Sequence, residues 1–317
     1  MYKGTLSMAV QSLGQAVNYC KRFGPRLVAT KMLYKLLPQA GFSVCRQIEE
    51  YLKHYYLPDV AYHKTEFCGK IQADAPIWVM WWQGEERMPD VVRLAVASMR
   101  RFAGRRPVIL ITKDNYRDYV ERSAEFYRYV ECGAISLTHF SDYVRFDLLH
   151  KYGGFWLDAT LLMTAPIPDF VNDLRLFSIK HGTIRPGEQW SPMWSRNWTA
   201  YCWGGCAGDP FFDFMLRFFE RYHEREGSVM IDYSLIDRII SVAYQEFVDV
   251  RNAIDAIPVN NVDALTSPIV NTASINHRSD DNGTFLHKLS WKEPPQPDCG
   301  NGQRSWFGQL LDQYGIR

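Results

Sequence analysis

The run from Ser141 to Thr160 constrains this chain more than any other stretch of its 317 residues. Ser141 is a good helix N-cap, and the residues from Asp142 to Tyr152 carry helical spacing that Gly153-Gly154 brings to a stop. Phe155-Trp156-Leu157 then reads as a short buried strand with Asp158-Ala159-Thr160 as its polar end. A helix that feeds a strand through two glycines is a unit of layered α/β folds. Asp142 and Arg145, three residues apart, share one helix face.

The same grammar recurs upstream. Ile77 to Trp82 is a continuous apolar run, the mark of a strand buried on both faces, and Gln83-Gly84 ends it. A helix is predicted over about 91–102, a second buried strand over Val108 to Thr112, and helices over Phe211–Arg221 and Asp232–Tyr244. Strand and helix alternating at this spacing predict an α/β fold with a largely parallel sheet, whose ligands bind beyond the carboxyl ends of the strands. Trp81, Trp82, Gln83 and Gly84 belong to that edge. Alternation along a strand predicts that at most one of the two tryptophans faces a ligand. Residues 5–56 read as helices broken near Gly24-Pro25 and Pro38–Gly41, and from Asn271 onward the chain is loop-rich, with Asn276-His277 and His287-Lys288. The pattern change divides the chain into a helical extension, 1–70, and a main domain, 71–317.

Composition narrows the class. A net charge of +1 gives no argument for nucleic acid. It hides an asymmetry: residues 1–70 carry ten Lys and Arg against four Asp and Glu. A basic, helical N-terminal segment suits an anionic membrane surface, and a solvated face explains it equally well. There is no signal-peptide pattern and no apolar stretch near the ~20 residues that span a bilayer, so the expectation is a cytoplasmic protein, soluble or peripheral at the inner membrane face. Seven scattered cysteines, without a C-x-x-C pair, suit free thiols in a reducing compartment.

Transfer of a sugar from a nucleotide diphosphate requires the base to be held, the diphosphate charge to be neutralised and the acceptor hydroxyl to be aimed. A carboxylate at a strand end commonly does the second task by holding a divalent cation. Here Ser141-Asp142-x-x-Arg145-x-x-x-Leu149-x-x-Tyr152-Gly153-Gly154-x-Trp156-x-Asp158 resembles the signature of glycosyltransferases with a DxD motif, and more closely the capsular polysaccharide synthesis family. Ile77–Gly84, Ile231–Asp237 and His287–Trp291 are similar to further segments of that family.

The resemblance implies a Rossmann-like fold of the GT-A type, a nucleotide-sugar donor (UDP-linked in most similar enzymes), a glycan or lipid-linked acceptor, and retention of anomeric configuration. By position, Trp81, Gln83 and Gly84 would border the nucleobase, and Asp142 and Arg145 would contact the donor sugar. Asp158 would hold Mn²⁺ or Mg²⁺; Asp232, at the N-terminal turn of its helix, either aims the acceptor or caps that helix. Thr160 stands where the motif has its second Asp, which weakens the metal site; His287 and Lys288 would then offer phosphate-binding groups or positive charge. Two alternatives stay open: a nucleotide-sugar-binding relative without catalysis, and a metal-dependent phosphotransferase or nucleotidyltransferase. The lack of a Walker-type glycine loop counts against ATP chemistry.

Overall fold

The computed structural model describes residues 16–64, 69–121, 124–182, 198–261, 284–299 and 302–316. Residues 16–23 are helical, followed by the helices Pro25–Leu36 and Gly41–Tyr55. The strands are β1 (Ile77–Met80), β2 (Val108–Ile111), β3 (Gly154–Leu157), β4 (Leu161–Met163), β5 (Leu176–Ser178), β6 (Cys202–Gly205) and β7 (Leu286–Lys288). The longer helices of the main domain are Asp90–Phe102, Leu137–Tyr152, Pro210–Glu226 and Leu235–Glu246. Five strands form one sheet in the order β2-β1-β3-β6-β5, in which β1 runs parallel to β2 and β3 while β6 runs antiparallel to β3 and β5. Four of the five strands therefore share a direction, as the sequence predicts of a largely parallel sheet. A separate two-stranded ribbon pairs β4 with β7.

The pleat sorts the side chains into two layers. Trp78, Trp156 and Trp203 are register partners across β1, β3 and β6, and all three are buried. This tryptophan row joins a core with Phe146, Phe211 and Phe219 of the helices Leu137–Tyr152 and Pro210–Glu226. On the opposite face Ile77, Phe155 and Phe177 pack with Val92 and Met99 of Asp90–Phe102 and with Trp306. Leu137–Tyr152 runs between the sheet and Pro210–Glu226, so nearly every residue from His139 to Leu149 is buried, including Asp142, Arg145 and Asp147.

The Gly153-Gly154 stop has a steric cause. Both glycines have positive φ, +67° and +94°, and a Cβ on Gly154 would stand 2.1 Å from the Pro76 carbonyl oxygen. Only glycine lets the strand start that close to its neighbour. The helix ahead of it begins five residues earlier than the sequence suggests. Ser136 is the N-cap, its Oγ accepting from the His139 amide, and Ser141 lies inside the helix with its hydroxyl donated to the Thr138 carbonyl. Asp142 accordingly sits in the second turn, away from the exposed amides that favour a first-turn carboxylate.

The N-terminal helices are part of the main core. Leu27, Val44, Ile48, Leu52 and Tyr56 are buried in the same cluster as Trp78 and Phe218. Tyr56 donates to Glu226 Oε1 at 2.5 Å, and Arg22 reaches the same carboxylate. The division near residue 70 thus marks a change of sequence pattern within one packed body.

Candidate active site

At the carboxyl ends of β1 and β3 lies a cavity of about 410 Å³. Its lining includes Trp81, Trp82 and Gln83 after β1, Trp156, Asp158 and Thr160 at the end of β3, and Lys288, Trp291 and Lys292 at the end of β7, with the Trp81 and Trp291 rings edge to face at 5.9 Å. Thr138, Ser141 and Tyr233 complete the rim. The volume falls in the range of small-ligand sites, about 300–1,000 Å³.

Asp158 follows β3 directly, and the tryptophan row fixes it from below. Trp156 Nε1 donates to Asp158 Oδ1 at 2.9 Å, and Arg145 Nη2 donates to the same oxygen at 3.2 Å. The Arg145 guanidinium also lies over the Trp156 ring, 5.1 Å from its centroid, and pairs with Asp142 Oδ1 at 3.2 Å. Arg145 is 3% exposed and Asp142 5%. Neither lines the cavity: Arg145 supports Asp158 from beneath and pairs with Asp142. The same helix does reach the cavity, but through Leu137, Thr138 and Ser141, while the Asp142 and Arg145 side chains are buried.

One guanidinium serves two carboxylates there, with Asp237 close enough to add its own charge. Burial pushes the Asp142 carboxyl up to about 7, with Arg145 opposing and Asp158 and Asp237 reinforcing the shift. Burial likewise pushes Asp237 up to about 6, against the charge of Arg238 and a hydrogen bond from Trp198 Nε1. Low-dielectric surroundings disfavour each added negative charge, and a shared cation cannot fully offset several of them.

Lys288 reaches the cavity from β7. Its ammonium donates to Thr160 Oγ1, lies 3.9 Å from Asp158 Oδ2 and stacks over Tyr201. Burial holds its pKa below the ordinary lysine value, while Asp158 acts in the opposite direction. His287, its neighbour in the strand, turns the other way, as alternation requires. It meets Thr164 Oγ1 at 3.1 Å and the edge of Trp306, is 1% exposed and does not line the cavity.

Other expectations are placed differently as well. β1 ends at Met80, and the turn that follows lets both Trp81 and Trp82 border the cavity. Gly84 is outside the wall and turns the chain at φ +85°. Asp232 is outside the wall too, 3.5 Å from Arg238 Nε, and its successor Tyr233 faces the opening. Tyr233 and Trp291, 71% and 49% exposed, are site residues that the sequence reading passed over. Both stand in quoted segments, and a tryptophan next to a lysine after a short strand was the available signal. Ser141, read as a cap, is a wall residue.

A divalent cation fits this donor set poorly. Mg²⁺ and Mn²⁺ favour several oxygen ligands, whereas Asp158 Oδ1 is already shared by two donors and Oδ2 faces an ammonium. Among the described residues no group of three or more His, Cys, Asp or Glu side chains is placed to hold a metal ion.

The site is thus an aromatic-walled cavity at the strand ends of a mostly parallel α/β sheet, with a carboxylate at a strand tip. The chain belongs to the capsular polysaccharide synthesis protein family, whose sequence model matches residues 36–300. No curated protein matches it. Among solved structures, one titled "PaToxG Glycosyltransferase" is similar over 72% of this chain and 90% of that one, at 10% identity and a TM-score of 0.36, a likeness too slight to carry inference.

Proposed function

We propose that this protein transfers a sugar from a nucleoside-diphosphate donor, UDP-linked by preference, to a hydroxyl of a glycan or lipid-linked saccharide, with retention of anomeric configuration. The observation that carries the reading is the Asp158–Lys288 pair at the strand tips, in a cavity whose walls include Trp81, Trp82 and Trp291. Aromatic faces suit a nucleobase and sugar rings, and an ammonium suits a phosphate. In the reaction the bond from the anomeric carbon to the diphosphate oxygen breaks, and its electron pair leaves with the nucleotide. The acceptor oxygen bonds to that carbon, and its proton passes to the departing diphosphate. Retention rests on the family resemblance and is read from the anomeric coupling of the product.

The test is thermal melting of the protein with UDP-, GDP- and CMP-linked sugars. A ligand that binds only the folded state raises the midpoint by mass action. One nucleotide family is expected to give a clear shift; a cooperative melt that no donor moves would refute the reading.

The same reading places the protein at the inner membrane face. Among the described residues no helix is long and apolar enough to cross a membrane. Yet the end of Pro25–Leu36 and the turn after it expose Met32, Leu33, Leu36, Leu37 and Phe42, with Leu36 80% accessible. Arg26, Lys35 and Arg46 are exposed nearby. Apolar side chains among cations favour an anionic lipid surface. Co-sedimentation with phosphatidylglycerol vesicles, weaker with phosphatidylcholine and lost in Leu36→Glu, is the expected result. Equal recovery in the supernatant with both lipids would remove the membrane from the account.

A further inference from the structure

The cavity wall carries more positive than negative charge. Lys288 and Lys292 line it against the single carboxylate of Asp158 among the described residues, and Arg145 just beneath is shared between Asp158 and Asp142. Lys288 is held in place from three sides: by the Thr160 hydroxyl, the Asp158 carboxylate and the Tyr201 ring. Its one hydrogen bond among the described residues leaves further N–H donors, since an ammonium has three. Thr160 matters here for what it is not. A second carboxylate at that position would draw a divalent cation; a hydroxyl instead anchors the lysine. The ammonium therefore occupies the neighbourhood in which a metal bridging Asp158 and a diphosphate would have to sit, and like charges a few ångströms apart repel.

We propose that Lys288, assisted by Lys292, neutralises the donor diphosphate directly, and that nucleotide binding by this protein needs no divalent cation. This rests on the nucleotide-sugar reading above and adds to it the chemistry of phosphate recognition. Asp158 then acts as a positioning residue, holding Lys288 on one oxygen while Arg145 and Trp156 hold the other. As the bond between sugar and diphosphate breaks, the charge that accumulates on the leaving phosphate meets an ammonium already fixed and half-buried in the wall. A preorganised charge of this kind needs little reorganisation at the moment of reaction.

Calorimetric titration of UDP and of GDP into the full-length protein tests this, once in EDTA and once with Mn²⁺. The nucleotide that binds is expected to do so about equally in both conditions, and Lys288→Met is expected to weaken it by about tenfold or more in EDTA, the loss of a charge-assisted contact. Lys288→Arg, which keeps the charge, should recover much of the affinity, and a melting curve of each variant checks that the cavity is still folded. Lys292→Ala gives a second arm at an exposed position and should weaken binding less. Binding that appears only with Mn²⁺ would overturn this inference and leave the nucleotide-sugar reading standing. So would Lys288→Met that binds as the parent does in EDTA. Failure of both nucleotides in both conditions would overturn the two together.

Discussion

Asp158→Ala is expected to lower sugar transfer by about 10²–10³-fold while leaving a folded protein, the scale seen when one preorganised polar group is removed from a reacting centre. The carboxylate is the point at which three cavity elements are tied together: the Trp156 indole, the Arg145 guanidinium and the Lys288 ammonium. Its side chain is 30% exposed, and Arg145 retains Asp142 in its absence, so the structural cost should remain near 1–2 kcal/mol. Initial rates with a matched nucleotide-sugar, taken beside a melting curve, check both halves of the statement. Full activity in the variant would remove Asp158 from the mechanism. Asp158→Asn refines the result, because it preserves shape and the indole contact while releasing Lys288 from its counter-charge.

Arg145→Ala should have the larger effect on stability, about 3–5 kcal/mol, because it leaves a buried carboxylate cluster without its shared cation. The side chain is almost fully enclosed, pairs with Asp142 and Asp158 at 3.2 Å each, and covers the face of Trp156. Arg145→Lys should restore little, since a point charge cannot reach two carboxylates and lie flat on an indole at once. Asp142→Asn, by contrast, should be mild: burial already raises that carboxyl to about 7, so a neutral isostere replaces a group that is protonated in much of the population near neutrality. Urea unfolding of the three variants distinguishes them. A loss below about 1 kcal/mol for Arg145→Ala would make it an ordinary partly solvated pair. Transfer should fall with stability in Arg145→Ala, because Asp158 loses one of its two fixed donors.

Much of the architecture was legible in the residues. Apolar runs at 77–82 and 108–112 became β1 and β2, and the run ahead of Asp158 became β3. Helix spans were close because propensity and caps act locally; Asp90–Phe102 was expected over 91–102. Where the start of a helix was misplaced, two serines competed for one role. Ser136 and Ser141 are both adequate caps by type, and it is the Ser136 hydroxyl that accepts from the His139 amide while Ser141 lies a turn inside the helix. The expectations at Asn276-His277 lie outside the described residues.

Direction was the harder matter. Sequence alone placed Asp142 and Arg145 on one face and Asp158 at a strand end, and both statements hold. It did not say which way that face points, because helical spacing specifies a stripe and not its neighbour. The tryptophan row and the Pro210–Glu226 helix enclose the stripe, so its charges became the support of the site instead of its surface. His287 and Lys288 show the same limit at a strand, where a period of two sends adjacent side chains to opposite sides and only the pairing of β7 with β4 decides which side holds the ligand. Local rules determined where this chain turns and extends: Gly153 and Gly154 both take the positive φ that favours glycine, and the close approach of Pro76 then adds a tertiary reason at Gly154. Tertiary packing decided what each charge touches, because a contact between Asp158 and Lys288, 130 positions apart in the chain, depends on how whole layers meet.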